Sequence, residues 1–292
     1  MRKNKLDSSL PIIENFFDNS AVKSVTEKKF GDILKQHRNE WEIPSNKYTK
    51  HLIDYLLKKE MLIKNLFLDD SNETKFIYSW KTKDEYTIIS GLKSDSYYSY
   101  YSAIFLHQLT FQIPKTVYLN FEHSRAIIST DTEPNLTQEA IDNAFKGSQR
   151  KSSSTYIFND KRIILTNGKY TGKLGVLKRV NGNQCFEYTD LERTLIDISV
   201  RPVYAGGVIE VMEAFKIAKE KLNVRRMAEY LDKLNFIYPY HQVIGFYLEK
   251  AGYPKIDVDF FKKGMKFNFY LTYDIRNKQF SDKWKIFYPN GI

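Results

Sequence analysis

Apolar residues near the start of the chain recur at helical spacing. Residues 10–17 form a short apolar run that favours a helix. A second helix opens at Thr26, whose hydroxyl can cap a helix N-terminus, and runs to about Arg38. Its apolar positions follow the i, i+3, i+4 pattern and are Phe30, Ile33 and Leu34. The pattern predicts two N-terminal helices.

A third helix and a β-hairpin follow. Ser45 can cap a helix over residues 45–59, and its inward positions are Tyr48, Leu52, Tyr55 and Leu56. From Met61 the period becomes extended, and two apolar runs, 61–68 and 75–80, flank a polar turn. Three helices before a hairpin are the order of a winged helix-turn-helix. We therefore predict a DNA-binding domain of this kind over residues 1–85.

The third helix is the predicted recognition helix of this domain. When its apolar residues point inward, short polar and basic side chains occupy the opposite face, which suits entry into the major groove. The hairpin is predicted to act as the wing, with two lysines near DNA phosphates. The candidate DNA-binding residues are Asn46, Lys47, Thr49 and Lys50 on the helix, and Lys64 and Lys75 on the hairpin.

Residues 86–292 mix strand and helix patterns without a long linker, so we predict that they fold as one larger α/β domain. The first half predicts a strand at 86–89, a helix at 96–109, a strand at 116–121 and a helix at 137–146. Strands then extend over 155–188, with hairpin turns expected at Asn167-Gly168 and Asn181-Gly182. Four helices (190–199, 208–222, 224–234 and 241–250) and two strands (266–273 and 283–288) complete the chain. The predicted fold class is α+β.

Composition narrows the class of protein. The chain has 292 residues, of which 42% are hydrophobic, and this fraction is sufficient for real cores. No apolar run approaches the ~20 residues of a membrane-spanning helix, and the N-terminus lacks a signal-peptide core. A single cysteine, Cys185, excludes an internal disulfide and a zinc site built from cysteines. We expect a cytoplasmic protein with no membrane partner.

The positive charge is concentrated in one segment. The formal net charge is +10, which favours polyanions such as nucleic acid, or an acidic partner. Residues 1–80 are nearly balanced, whereas residues 146–181 carry nine basic residues and one acidic residue. We call residues 146–181 the basic segment. It is either a solvated surface or a second polyanion-facing surface, with candidate residues Lys161, Arg162, Lys169, Lys173, Lys178 and Arg179.

The sequence offers little catalytic equipment. Five histidines lie far apart, without the spacing of a metal site. The stretch 168–173 resembles a phosphate-binding loop but has one residue too few between its glycines, so we interpret it as a hairpin. Glu210 and Glu213, which follow Gly206-Gly207, are helical neighbours more typical of a solvated face than of a magnesium site. We therefore predict a protein that is not an enzyme, with no cofactor, no metal and no catalytic residue.

Residues 189–197 are the most distinctive stretch of the chain. Thr189 and Glu192 have the spacing of a capping box, in which each side chain satisfies a free amide of the first helical turn. Leu191 and Leu195 begin the predicted buried stripe of this helix. Arg193 lies away from that stripe, so we expect it to contact a partner or a neighbouring carboxylate.

Three stretches together resemble the AbiEi antitoxins of bacterial abortive-infection and type IV toxin–antitoxin systems. The first is 99–109 followed by Pro114, with Ser102-Ala103 and His107 at family-like spacing. The second is 189–197, leading to Arg201-Pro202 and Gly206-Gly207. The third is 241–252 near the C-terminus. They occur in the expected order after the N-terminal domain.

This resemblance implies a repressor of its own operon that neutralises a cognate nucleotidyl-transferase toxin, directly or indirectly. It also implies that the body of the protein, rather than the winged helix, acts against the toxin. Two other classes stay open: a nuclease or nucleotidyl-transferase with a DNA-targeting module, and a scaffold whose winged helix binds protein. The operator sequence, the oligomeric state, direct toxin binding and the role of the basic segment are not determined by the sequence.

Overall fold

The computed structural model describes residues 5–124, 136–182 and 184–292, with only the backbone of Lys5. Helices and sheets are mixed along the whole described chain, which confirms the predicted α+β class at that level. The first six elements are α1 (Lys5–Asn19), β1 (Ser24–Thr26), α2 (Glu27–His37), α3 (Thr49–Lys58), β2 (Leu62–Asp69) and β3 (Thr74–Trp80).

The remaining elements continue this mixture. The central ones are α4 (Glu85–Ser90), β4 (Tyr97–Tyr98), α5 (Tyr100–Leu106), β5 (Thr116–Glu122), α6 (Gln138–Lys146), β6 (Thr155–Phe158), β7 (Lys161–Gly168), β8 (Val176–Asn181) and β9 (Gln184–Thr189). The C-terminal ones are α7 (Leu191–Val200), α8 (Val208–Ala218), α9 (Val224–Leu234), α10 (Tyr240–Lys250), α11 (Lys255–Asp259), β10 (Phe269–Tyr270), β11 (Lys278–Ser281) and β12 (Ile286–Pro289).

Contacts group the chain into two compact units. The first unit comprises Met1–Tyr97, Ser154–Ile164 and Lys178–Glu187, and the second comprises Tyr98–Ser153, Leu165–Leu177 and Tyr188–Ile292. Two segments from the middle of the chain, Ser154–Ile164 and Lys178–Glu187, thus pack with the N-terminal segment in the first unit. The domain boundary between residues 85 and 86 stays a prediction. By its contacts, α4 belongs to the first unit.

Sheet pairing in the first unit is antiparallel. Strand β1 pairs with β3, and β3 pairs with β2 along seven residues. On its other side β2 pairs with β6 only near its end, at Leu68↔Ile157 and Asp69↔Tyr156. Strand β6 pairs in turn with the start of β7. The hairpin predicted over 61–80 is confirmed.

Helices α1, α2 and α3 bury an aromatic core against the base of this hairpin. Trp41 is fully buried, and the rings of Phe17 and Trp80 stack with centroids 4.8 Å apart. The predicted cap of α2 is confirmed, because the Thr26 hydroxyl accepts the Lys29 N–H at 3.2 Å. Phe30 and its neighbours at helical spacing are buried, as the sequence pattern predicts.

The second unit has its own core. Its helices and the small sheet β10–β12–β11 surround large buried side chains such as Phe145, Phe215 and Tyr247. The packing is closest at Gly245, where an added Cβ would lie 2.1 Å from the ring of Trp284. Only glycine fits at this position of α10.

Two predicted elements are wrong, and a third is present but begins later than predicted. Residues 86–89 are helical, in α4, because the Asp84 carboxylate caps the turn by accepting the Thr87 N–H at 2.8 Å. Asn167 and Gly168 end strand β7, and the chain reverses instead at Asn159, whose φ is +52°. The helix predicted from residue 96 begins only at Tyr100, after the short strand β4.

Other predicted elements are confirmed with shifted ends. The helix predicted over 137–146 is α6, capped by Thr137, and the turn at Asn181-Gly182 lies between the sheet neighbours β8 and β9. Helix α8 ends at Ala218, four residues earlier than predicted. Helix α11 was not predicted, since its five residues are too short for a clear apolar period.

Candidate nucleic-acid interface

The third helix begins later than predicted. Residues 44–47 form a turn in which the Lys47 N–H donates to the Pro44 carbonyl at 2.9 Å. The Arg38 guanidinium fixes this turn by donating to the carbonyls of Pro44 and Lys47, both at 2.9 Å. The predicted start at Ser45 is therefore wrong, and Asn46 and Lys47 precede α3 instead of lying on it.

The delayed start leaves Tyr48 outside the buried stripe of α3. Leu52, Tyr55 and Leu56 are buried, as predicted. Tyr48, predicted to point inward, is 67% exposed and stands directly before the helix. Its N–H donates to Nδ1 of His51 at 3.3 Å, and His51 is itself exposed. The sequence prediction missed this exposed pair because it assigned Tyr48 to the buried stripe.

The other helix candidates differ in accessibility. Lys50 and Asn46 are exposed, whereas Lys47 is half-buried. Thr49 is half-buried and packs against Gly31 of α2. A Cβ atom added to Gly31 would lie only 3.1 Å from the hydroxyl oxygen of Thr49. The glycine thus allows close approach of α2 and α3, and Thr49 serves packing as well as surface.

The two hairpin lysines have different environments. Lys64 is exposed, with its Nζ 3.7 Å from the centroid of the Phe76 ring. Lys75 is half-buried, and its Nζ donates to the carbonyl of Leu92 at 3.3 Å. Burial lowers the pKa of the Lys75 ammonium, and the nearby Lys93 acts in the same direction. Lys64 is the more available of the two for a phosphate.

The tip of the hairpin is acidic. The Asp69 carboxylate accepts the N–H groups of Ser71 and Glu73, each at 2.9 Å, and thereby fixes the turn. The Thr155 hydroxyl is hydrogen-bonded to the Asp70 carboxylate. A negative tip repels phosphates, so any contact of the hairpin with DNA falls on its strands.

Internal contacts engage part of the basic segment. Lys161 forms an ion pair with Glu85 at 2.5 Å, and its side chain is mostly buried. Lys169 donates to the Leu234 carbonyl at 3.4 Å, at the C-terminus of α9, where a cation is favourable. Arg162 and Lys178 are exposed. Arg179 lies 5.6 Å from the ring of Phe186.

Residues 169–175 form a loop between β7 and β8 and not the predicted hairpin. The loop surrounds the Glu122 carboxylate, which accepts the N–H of Thr171 at 2.8 Å and that of Lys173 at 3.2 Å. Gly175, with φ +69°, packs so closely on α7 that an added Cβ would lie 2.8 Å from Cβ of Arg193. The lysine-bearing loop is thus held by an internal carboxylate.

Arg193 is buried, and the expectation that it contacts a partner is wrong. Its Nε donates to the Asp197 carboxylate at 2.7 Å, and its Nη1 donates to the Leu174 carbonyl at 2.9 Å. The other expectation, contact with a neighbouring carboxylate, is confirmed, and that carboxylate is Asp197. Burial raises the pKa of the Asp197 carboxyl, and Arg193 opposes that rise.

The capping box at the start of α7 is also wrong. Asp190 caps the helix by accepting the Arg193 N–H at 2.8 Å. The Thr189 hydroxyl instead pairs with that of Thr194 at 2.7 Å. Glu192 accepts the Asn223 N–H at 3.0 Å and lies 3.1 Å from Arg226. Asp190 competes successfully because it is adjacent to the first helical residue.

No group of three or more histidine, cysteine or carboxylate side chains in the described ranges is arranged to hold a metal ion. No described helix is both long and apolar enough to cross a membrane. The Cys185 thiol is buried and donates to the Ala21 carbonyl at 2.8 Å, and burial raises its pKa.

Comparisons with known proteins identify a related fold. No protein-family model matches the chain, and no curated protein matches it. Among solved structures, the crystal structure of the Rv2827c protein from Mycobacterium tuberculosis is similar, with a TM-score of 0.53. The two chains are 9% identical, and the similarity covers 98% of this chain and 93% of the other. The similarity extends over the whole fold, and at this identity it shows the fold alone.

Proposed function

We propose that this protein binds double-stranded DNA through a winged helix-turn-helix formed by residues 5–80. The observation that carries this proposal is the order α1–β1–α2–α3–β2–β3 together with the strand order β1–β3–β2. A helix pair followed by an antiparallel hairpin is the arrangement by which such domains present a recognition helix. The fold similarity to the mycobacterial protein is compatible with this assignment.

The surface at the start of α3 supplies groups that suit a DNA groove. Tyr48, Lys50 and His51 are exposed there, and Asn46 is exposed on the preceding turn. The helix N-terminus adds a partial positive charge that favours phosphate. In this proposal Lys50 and the exposed polar groups meet base edges and phosphates, and Lys64 contacts the backbone.

We further propose that the protein represses its own operon and counteracts a cognate nucleotidyl-transferase toxin, without enzymatic activity of its own. The three stretches that resemble AbiEi antitoxins support this proposal, and all three lie in the second unit, where they contain helices α5, α7 and α10. Protection of cells that express a nucleotidyl-transferase gene adjacent to that of this protein is the corresponding measurement.

DNA binding is tested with the promoter region upstream of the gene in a gel-shift assay. The K47A/K50A double variant should bind at least about tenfold more weakly, because each phosphate or base contact contributes roughly 1–3 kcal/mol. Its affinity should also fall less steeply with salt than that of the wild type.

The matched control is K221A/K233A, which removes two exposed lysines of the second unit. This variant should retain wild-type affinity. Wild-type affinity of K47A/K50A would contradict the assignment of the recognition surface. Absence of any salt-dependent DNA binding by the full chain would contradict the proposed function itself.

A further inference from the structure

A cleft of about 520 Å³ lies beside strand β2 within the first unit. Its lining includes Lys64, Leu66, Lys83, Ile88, Ile157 and Phe158. The volume falls within the range of ligand-binding pockets and accommodates a few residues of an extended peptide. None of the contacts proposed for the recognition helix uses it.

One wall of the cleft is an incompletely paired strand. Strand β2 pairs with β3 along seven of its eight residues but with β6 only at Leu68 and Asp69. Lys64, Asn65 and Leu66 therefore lie on a stretch with no described strand on its outer side, and all three line the cleft. An open strand edge is a template for pairing with another chain.

Apolar side chains remain exposed along this wall. Leu66 is 49% exposed and Ile157 is 43% exposed. Phe158, which lines the cleft, is buried, and its ring stacks on that of Phe67 with centroids 4.4 Å apart. Exposed apolar side chains grouped on one surface are typical of an interaction site.

The charge around the cleft is positive and uncompensated. Its carboxylate, Glu85, is already engaged by Lys161 at 2.5 Å and by the Asn159 amide at 2.9 Å. Lys64 and Lys83 are exposed, and no carboxylate in the described ranges lies within ion-pair distance of either. A ligand with acidic groups is therefore complementary to this cleft.

We propose that the cleft binds an extended, acidic and apolar segment of a partner protein, which adds as a strand to the free edge of β2. Backbone hydrogen bonds to β2 would provide affinity, as in other cases of β-strand addition. Carboxylates of the segment would meet Lys64 and Lys83, and its apolar side chains would pack on Leu66 and Ile157. The site lies apart from the start of α3 but shares Lys64 with the DNA contact proposed for the hairpin. It goes beyond DNA binding because it also requires Lys83 and the free edge of β2.

A protein segment fits this cleft better than single-stranded nucleic acid does. Recognition of single strands relies on exposed aromatic rings on which bases stack. The nearest exposed ring, Phe76, has its face covered by the Lys64 ammonium at 3.7 Å. Phe158, which lines the cleft, is buried.

The test uses a phage library of random octapeptides selected on the full chain and counter-selected on the K64E/K83E variant. The expected result is a consensus of alternating apolar and acidic residues. A synthetic consensus peptide should lose at least about tenfold in affinity for K64E/K83E, because two attractive charges become repulsive. The matched control K28E/K29E, which alters two exposed lysines of α2, should bind it unchanged.

Strand addition is tested separately on the peptide, so that folding of the variants is not at issue. N-methylation of one alternate set of its amides should abolish binding, whereas methylation of the other set should leave it intact. Equal tolerance of both sets would overturn strand addition. Failure to enrich any peptide dependent on Lys64 and Lys83, or enrichment of basic peptides, would overturn the site. An oligo-dT strand that binds here in place of peptides would assign the cleft to nucleic acid.

Discussion

The start of α3 in the first unit and the start of α7 in the second both place basic residues where a helix begins, yet they use them differently. At α3, Lys50 is exposed, with Tyr48 and His51 beside it. At α7, Arg193 is buried and makes contacts with Asp197 and Leu174. A charged side chain on a helix can bind a partner only where it is not already paired with a carboxylate or carbonyl of the same protein.

The difference is one of desolvation. Removing a charge from water is costly, so a buried cation persists only when paired and hydrogen-bonded. Around Arg193 the chain provides a carboxylate and a carbonyl, and Glu192 with 1% exposure is paired with Arg226. Lys50 forms no ion pair or side-chain hydrogen bond with the described residues, and its side chain stays solvated. The α7 network thus stabilises the fold, whereas the α3 surface is free to bind.

The largest expected effect comes from breaking the buried network. The substitution Arg193→Ala leaves the Asp197 carboxylate buried without its partner and should lower the free energy of unfolding by about 3–5 kcal/mol. Lys50→Ala should change it by no more than about 0.5 kcal/mol. Urea denaturation followed by circular dichroism measures both.

A double substitution sharpens this result. Arg193→Met combined with Asp197→Leu replaces the pair by apolar side chains and should recover most of the lost stability. If Arg193→Ala lowered the free energy of unfolding no more than Lys50→Ala does, Arg193 would not stabilise the fold. The hypothesis that it contacts a partner would then be reopened.

A smaller effect should separate the two hairpin lysines. Lys75→Glu places a half-buried carboxylate against the Leu92 carbonyl and should cost about 1–3 kcal/mol of stability, since that carbonyl loses its hydrogen-bond donor. Lys64→Glu should leave stability nearly unchanged and weaken specific and non-specific DNA binding alike. Thermal melting and gel shifts with operator and random DNA distinguish them. A loss confined to the operator in Lys64→Glu would mean that the hairpin reads bases.

Periodicity predicted the hairpin and the helices other than α4 and α11, but it did not predict the exact start of each helix or the exposure of individual polar groups. Thr26 caps α2 as expected, because its hydroxyl and the Lys29 N–H that it accepts are only three residues apart. The start of α3 depends on Arg38, which folds back onto the carbonyls of Pro44 and Lys47. That contact is specified by the positions of two helices, and a scan for apolar spacing does not include it.

The same limit applies to the second unit. Thr189 and Glu192 have capping-box spacing, but Glu192 is engaged by Asn223 and Arg226 of a later helix, and Asp190 takes the cap. Gly245 lies in the stretch 241–252, which was noted for its resemblance to AbiEi antitoxins. The reason that this position must be glycine is the ring of Trp284, which lies 39 residues away in sequence. Long-range partners determine which of several locally satisfactory arrangements forms.

The smallest expected effects concern the basic segment, where the structure divides exposed from engaged cations. Arg162 and Lys178 are exposed, whereas Lys161 pairs with Glu85; Lys169 is also exposed but donates to the Leu234 carbonyl at the end of α9. We predict that R162S/K178S leaves the melting temperature nearly unchanged and lowers binding to a polyanionic partner about two- to tenfold, as expected for exposed charge contacts. The matched variant K161S/K169S should instead lower stability, by about 1–2 kcal/mol, because it removes a largely buried ion pair and a helix-terminal contact.

Two assays on these variants identify the partner: repression of the upstream promoter, and protection of cells that express the adjacent toxin gene. We expect R162S/K178S to reduce protection and leave repression intact, because the resemblance to AbiEi antitoxins assigns neutralisation to the body of the protein. Reduced repression with full protection would mean that these residues follow DNA beside the operator. If R162S/K178S retains both activities, Arg162 and Lys178 contact only solvent and bind no partner. The result is interpretable because this variant keeps the internal contacts that K161S/K169S removes.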